Sequence, residues 1–211
     1  MWALEKALNA EGFDAVAGVD EAGRGPLAGP VVAAAVVLPN GIEANGVQDS
    51  KQVPPRRRER LFAWIQSHAV SVGVGIIDVD QIERVNILQA ARRAMAQAVA
   101  RLDPPPQFLL IDGKFGIDWD LPQRAVVKGD SRSISIAAAS IVAKVTRDRM
   151  MLQFHDAFPQ YGFDRHKGYP TRAHRAAIAQ HGPCRIHRRT FKGVREFLPA
   201  SMPDRITAHD R

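Results

Sequence analysis

Cysteine occurs once in the 211 residues, at Cys184. An internal disulfide is therefore excluded, and a reducing, cytoplasmic setting is expected. No apolar run approaches the roughly 20 residues that a membrane span needs, so no membrane partner is expected. The opening MWALEKALNAEGFD has no basic start, no long apolar centre and no small-residue cleavage site, and so does not read as a signal peptide. Repeats and low-complexity tracts are missing as well. Aromatic residues make up 7% and there are two tyrosines. No Asp or Glu occurs between Arg165 and Arg195, a stretch that holds nine Lys/Arg and four His. Those nine charges exceed the whole chain's formal +7, so the basicity belongs to the C-terminal part and the remainder is slightly acidic. An anionic partner is the natural match for that part.

What the chain does have is a 45% hydrophobic content, enough for a sizeable core, at a length that suits one domain with a small appendage. The division expected is a catalytic domain over 1–150 and a basic helical region over 151–211. The most informative stretch is Val16 to Gly29, VAGVDEAGRGPLAG. A short apolar strand ends in Asp20-Glu21, and Gly23-Arg24-Gly25 follows at once. Carboxylates at a strand end suit a hard divalent cation, and glycines let backbone N–H groups come close to a phosphate or sugar. Gly23 to Ala28 also matches the dinucleotide pattern GxGxxA. That match fails, because Pro30 and a second strand (Val31 to Leu38) follow where a helix should begin. The two strands read as a hairpin-type pair.

Pro54-Pro55 open a basic helix with Leu61, Phe62 and Ile65 inward. Ala69 to Ile77 reads as a third strand. Asp80 with Glu83 forms a capping-box pattern, and the helix it starts places Leu88, Ala91, Met95, Ala98 and Leu102 on one face. Phe108 to Ile111 is a strongly apolar, central strand running into Asp112. Ala125 to Val127 is a short fifth strand running into Lys128-Gly129-Asp130. A helix from about Ser133 to Asp148 begins with small residues that let it lie close to a sheet. Beyond about residue 150 come helical pieces, one with Thr171 as N-cap and Gly182 just past its end.

Three strands thus end in acid: Asp20-Glu21, Asp112 and Asp130. A single Asp before Gly is ordinarily a turn former, but the same ending on three strands argues for convergence. Four clustered carboxylates require a cation. Two metal ions about 3.5–4 Å apart would clamp the attacking and leaving oxygens of an in-line phosphoryl displacement.

These blocks resemble bacterial ribonuclease HII, the type 2 ribonuclease H. The resemblance runs from AGVDEAGRGPLAGP at residues 17–30 through Asp49-Ser50-Lys51, Asn86-Ile87-Leu88, Leu110-Ile111-Asp112-Gly113 and Lys128-Gly129-Asp130. It continues in AASIVAKVTRD at 138–148, His166-Lys167-Gly168-Tyr169-Pro170-Thr171 and His187-Arg188-Arg189-Thr190-Phe191. It implies a ribonuclease H-like α/β fold, a five-stranded mixed sheet flanked by helices with a C-terminal helical region. It implies endonucleolytic cleavage of RNA in RNA–DNA hybrids and at single ribonucleotides in duplex DNA, leaving 5′-phosphate and 3′-hydroxyl ends, in the removal of misincorporated ribonucleotides and RNA primers. By the match, Asp20, Glu21, Asp112 and Asp130 are the catalytic, metal-binding acids for Mn²⁺ or Mg²⁺. Gly23, Arg24, Gly25, Lys51 and Tyr169 contact the substrate, and the enzyme is expected to act as a monomer. The related type HIII enzyme typically carries an added N-terminal domain, which is not expected here, where about 13 residues precede the first strand.

Other readings stay open at several residues. Arg24 could pair with neighbouring carboxylates instead of substrate. Lys144 could contact phosphate or simply pair with Asp148 four residues on. Tyr169 could stack on a sugar or cover a small core. His181, Cys184 and His187 are three apart, but with a single cysteine a basic surface is favoured over zinc.

Overall fold

The computed structural model describes residues 1–43, 46–48, 50 and 53–198, so Asp49 and Lys51 lie outside the described residues. A short helix α1 (Ala3–Ala10) precedes the hairpin β1 (Val16–Ala22) and β2 (Val31–Val37). Then come α2 (Pro55–His68), β3 (Ser71–Ile77), α3 (Val79–Ala100), β4 (Phe108–Asp112), β5 (Gln123–Val126) and α4 (Ile134–Ala157). Two shorter helices, α5 (Phe163–His166) and α6 (Arg172–His181), follow. The five strands form one mixed sheet in the order β3-β2-β1-β4-β5. β1 is antiparallel to β2 and parallel to β4, which is itself parallel to β5.

Strand alternation sorts the sheet into two faces. Ala17, Val19, Ala33, Ala35, Leu109 and Ile111 pack under α3, with Ala91, Ala94 and Ala98 facing them. Ala34 and Val36 lie on the other face under α4, and α2 packs behind with Leu61 and Ile65. Leu110 of β4 meets Ile136 on that same face. The approach of α4 is very close. A Cβ added at Gly18 would lie 2.0 Å from the carbonyl carbon of Ser135 and 2.2 Å from the amide nitrogen of Ile136. The small residues expected to permit this approach are therefore matched by a glycine on the strand below.

Several boundaries differ from the sequence reading. The N-cap of α3 is Asp78, whose carboxylate accepts the Gln81 N–H at 2.8 Å. Asp80 lies inside the helix, and Glu83 turns instead to Arg189, at 2.7 Å. Helix α3 is also broken at Asn86 (φ 68°, ψ 164°), whose Oδ1 accepts the N–H groups of Leu88 and Gln89 and so caps the second half. That break turns Leu88 outward (43% exposed), while Ala91, Met95, Ala98 and Leu102 remain buried as expected. The fifth strand starts and ends earlier than expected, leaving Val127 exposed, and α4 continues nine residues beyond Asp148 without interruption.

The C-terminal region packs on the β1–β2 connection. Leu27 and Ala28 share a cluster with Met151, Tyr161, Phe163, Ile178, Ile186 and Val194. Thr171 caps α6 through the His174 N–H, and Gly182 (φ 70°) ends it, both as expected.

Candidate active site

Parallel pairing of β1 with β4 sets Val19 beside Ile111, so the next residues, Asp20 and Asp112, stand beside each other where the strands end. Alternation puts both on the α4 face, and Glu21 on the opposite face at the same strand end. Asp20 is 4% exposed and Asp130 7% exposed. Burial, with Glu21 and Asp112 close by, pushes the Asp20 carboxyl well above the usual carboxylate range. Burial likewise raises Glu21, and Arg24 partly offsets the rise with an ion pair of 3.1 Å. Asp112 Oδ1 accepts the Gly129 N–H at 2.7 Å. This bond anchors the single 3₁₀ turn Gly129–Ser131 that carries Asp130. Lys128 before it adopts the left-handed conformation (φ 55°) that makes this turn possible.

Asp20, Glu21 and Asp112 are therefore brought into mutual electrostatic contact, with Asp130 on the segment bonded to Asp112. Among the described residues, no three His, Cys, Asp or Glu side chains close into a complete metal-ligand group. The donor set nonetheless fits a hard divalent cation. It is all-oxygen, and ions such as Mg²⁺ take one or two carboxylates and fill their remaining positions with water and phosphate oxygens. The repulsion stored at Asp20 is the kind of charge imbalance such an ion relieves.

One partner of Asp20 had no signal beyond its being a polar residue in an apolar run. The Ser140 hydroxyl of α4 is close enough to the Asp20 carboxyl to offset a small part of the dominant rise. Its Oγ is 2.8 Å from Ser50 Oγ. Either hydroxyl can donate in this contact. The Ser50 carbonyl in turn accepts from buried Arg58 at 2.9 Å. Ser50 is thus tied to α4 at the residue that adjoins the first acid of the site.

The Gly23-Arg24-Gly25 loop lies beside the acids. Arg24 and Gly25 are exposed, and Arg24 makes the ion pair with Glu21 that was one of its two readings. A Cβ at Gly25 would be 3.8 Å from the Tyr169 ring, so the tyrosine stands next to this loop. Tyr169 is 43% exposed and does not cover a core. Lys144 pairs with Asp148 at 2.7 Å, and its Nζ is 5.9 Å from the centroid of the Tyr169 ring. The two loops are joined by the Leu27 N–H, which donates to the Gly168 carbonyl at 2.8 Å.

The basic stretch proves to be divided. Arg165, Arg172, Arg175, Arg185, Arg189, Lys192 and Arg195 are exposed, whereas His174, His187 and Arg188 are interior. The expectation of a basic surface thus holds for most of these side chains and fails for these three. His174 Nδ1 is 2.9 Å from the Tyr169 carbonyl, His174 Nε2 is 3.0 Å from His187 Nε2, and the Cys184 N–H donates to His187 Nδ1 at 2.9 Å. A carbonyl only accepts and an amide N–H only donates. Each tautomer follows: His187 donates from Nε2, His174 accepts there and donates from Nδ1 to Tyr169. A proton added to either ring sets two N–H groups face to face. Burial accordingly lowers both pKa values to about 4.

A histidine whose folded pKa lies below its unfolded value binds its proton more tightly when unfolded. Its stabilisation is complete above about pH 6.5 and is lost as pH falls from there toward about 4. We expect the melting temperature to drop by roughly 4–8 °C between pH 7 and pH 5 from this pair. His187→Gln, which keeps an N–H donor toward His174, should flatten that drop in thermal melts at the two pH values. An equal drop in the variant would assign the acid sensitivity elsewhere.

A mixed five-stranded sheet with helices on both faces, and acids at the ends of adjacent parallel strands, defines the ribonuclease H-like class of fold. A solved ribonuclease H2 from Pyrococcus horikoshii OT3 matches with a TM-score of 0.74 and 30% identity, over 87% of this chain and 96% of that one. Ribonuclease HII of Archaeoglobus fulgidus, solved in complex with PCNA, matches with a TM-score of 0.73 and 27% identity, over 84% and 95% of the two chains. The ribonuclease HII family model matches residues 17–194. Ribonuclease HII of Geobacter metallireducens is 60% identical over 198 residues, covering 94% of this chain and 93% of the relative. That of Geobacter sulfurreducens is 54% identical over 201 residues, covering 95% and 93%. The chain belongs to the ribonuclease HII family and is a ribonuclease H enzyme.

Proposed function

We propose that this enzyme incises duplex DNA at embedded ribonucleotides and cleaves the RNA strand of RNA–DNA hybrids, with Mg²⁺ or Mn²⁺ held by Asp20, Glu21, Asp112 and Asp130. The observation that carries the reading is the in-register pair Asp20 and Asp112 beside the Gly23-Arg24-Gly25 loop and Tyr169. A divalent cation, when bound, supplies charge to the phosphate and acidifies water. The chain's own part is positional. The acids collect at one end of the sheet, and the exposed glycine loop offers N–H groups at close range. The half-exposed Tyr169 ring provides a stacking face for a sugar at the RNA–DNA junction. The exposed arginines of residues 165–195 hold the duplex through phosphates, so binding weakens steeply with salt.

The test compares three duplexes of one sequence: all-DNA, DNA with one ribonucleotide, and an RNA–DNA hybrid. Each is incubated with Mg²⁺, with Mn²⁺ and with chelator, and the product ends are mapped. Cleavage of the two ribose-containing duplexes, dependent on metal and leaving 5′-phosphates, is expected. Equal cleavage of all-DNA duplex, or cleavage unaffected by chelator, would overturn the reading.

A further inference from the structure

Arg188 is among the largest side chains of the protein with no exposure at all. Its guanidinium bonds extend over a single loop. Nε donates to the Gly29 carbonyl at 3.0 Å, and Nη1 to the carbonyls of Arg24 at 2.9 Å and Pro26 at 2.8 Å. Nη2 donates to the carbonyls of Gly23 at 2.5 Å, Gly29 at 2.9 Å and Pro30 at 3.3 Å. The Phe191 ring lies against the guanidinium, its centroid 5.1 Å from the guanidinium carbon. The main chain follows the same loop: the Arg188 N–H donates to the Leu27 carbonyl and the Gly29 N–H to the Ile186 carbonyl, both at 2.8 Å. A second buried arginine, Arg147, takes the carbonyls of Ala28 and Pro30, each at 3.0 Å. It also takes the carbonyl of Lys167 at 3.0 Å, two residues before Tyr169.

This pattern has a consequence for the opposite side of the loop. In a planar trans peptide, the carbonyl of one residue and the N–H of the next point in opposite directions. Holding the carbonyls of Gly23 and Arg24 inward therefore turns the N–H groups of Arg24 and Gly25 outward, where both residues are exposed and Gly25 adjoins Tyr169. Gly23 is at φ 98°, a conformation that side-chain-bearing residues rarely adopt, and the guanidinium bonds hold it there. We propose that Arg188 is the positioning residue for sugar discrimination: it aims the backbone donors of Arg24 and Gly25 at the substrate ribose and thereby sets the preference for ribonucleotide over deoxyribonucleotide. The inference rests on the reading that the Gly23-Arg24-Gly25 loop contacts the ribonucleotide. Lysine cannot replace this arginine, because an ammonium has three donors and no planar fork to span five carbonyls.

The experiment measures KM and kcat for a single-ribonucleotide duplex, and Ki for the same duplex in all-DNA form as a competitor. The ratio of Ki to KM reads sugar discrimination, while Ki alone reads general duplex binding. In Arg188→Lys the ratio should fall about tenfold, the effect of one misplaced hydrogen bond, with Ki changing less than twofold. An unchanged ratio in the folded variant overturns the proposal. So does a parallel rise of KM and Ki, which is what a merely structural arginine would cause. If Arg188→Lys fails to fold, Phe191→Leu keeps every donor and loosens only the guanidinium's packing. It should lower the same ratio by a smaller factor, and no change in it overturns the proposal. A wild-type ratio near one would instead refute the sugar-reading role of the loop itself.

Discussion

Asp20→Asn is expected to lower the rate of metal-dependent cleavage by on the order of 10³-fold or more, a loss comparable to removing a preorganised charge-stabilising group. The remaining rate should no longer respond to Mg²⁺ or Mn²⁺ concentration. The same substitution should leave the fold intact and raise the melting temperature in metal-free buffer. Asp20 is buried, and its neighbours Glu21 and Asp112 disfavour its charged form. Its folded pKa is therefore above the unfolded one, and the group costs stability once pH rises past the unfolded value. Asparagine has nearly the same shape and no charge. Relief of roughly 1 kcal/mol would raise the melting temperature by about 2–4 °C for a chain of this size. With the proposed role of Asp20, function and stability pull in opposite directions at this residue. Undiminished cleavage would remove Asp20 from the active site, and a lower melting temperature would show that repulsion is not what its burial entails.

Gly18→Ala is expected to have the largest effect on stability. One methyl group would enter the space between β1 and α4, where backbone atoms of Ser135 and Ile136 lie 2.0–2.2 Å from it. These are main-chain atoms within a helix N-terminus, so no rotamer change can make room. That end of α4 is also pinned by buried Glu5, which accepts from the Ser133 hydroxyl and the Ser135 N–H. Overpacking of this kind costs about 1–3 kcal/mol and sometimes more. The expected fall in melting temperature is roughly 5–10 °C. Moving α4 away also moves Ser140 from Asp20, so kcat should fall in the protein that remains folded. A melting temperature within a degree of wild type would mean that helix and sheet are not in close contact there.

The broad design of the site is legible along the chain because its parts are local. An apolar strand ending in Asp20-Glu21, another ending in Asp112 and a turn carrying Asp130 can each be read from a handful of residues, as can the glycines around Arg24. The cap of α3 is not legible for an equally local reason: Asp78 and Asp80 are both acceptable caps, and the capping-box spacing of Glu83 carries no sign of Arg189, its partner 106 residues away. The break at Asn86 has no signal in the hydrophobic spacing, which fits one continuous helix and sets Leu88 on the same face as Ala91 and Met95.

The candidate chemistry is legible in residue type and spacing alone, which decide which groups can bind a hard cation and where a strand must stop. Which of nine basic residues between Arg165 and Arg195 lies in the interior was decided only by tertiary structure. Arg188 is buried because the carbonyls of residues 23–30 converge on it from about 160 positions earlier in the chain, and a guanidinium can leave water only where such acceptors await it. The placing of Asp20 beside Asp112, and the bond of Ser140 to Ser50, were decided in the same way. Strand register and helix approach are properties of contacts between distant segments, and composition carries no record of them.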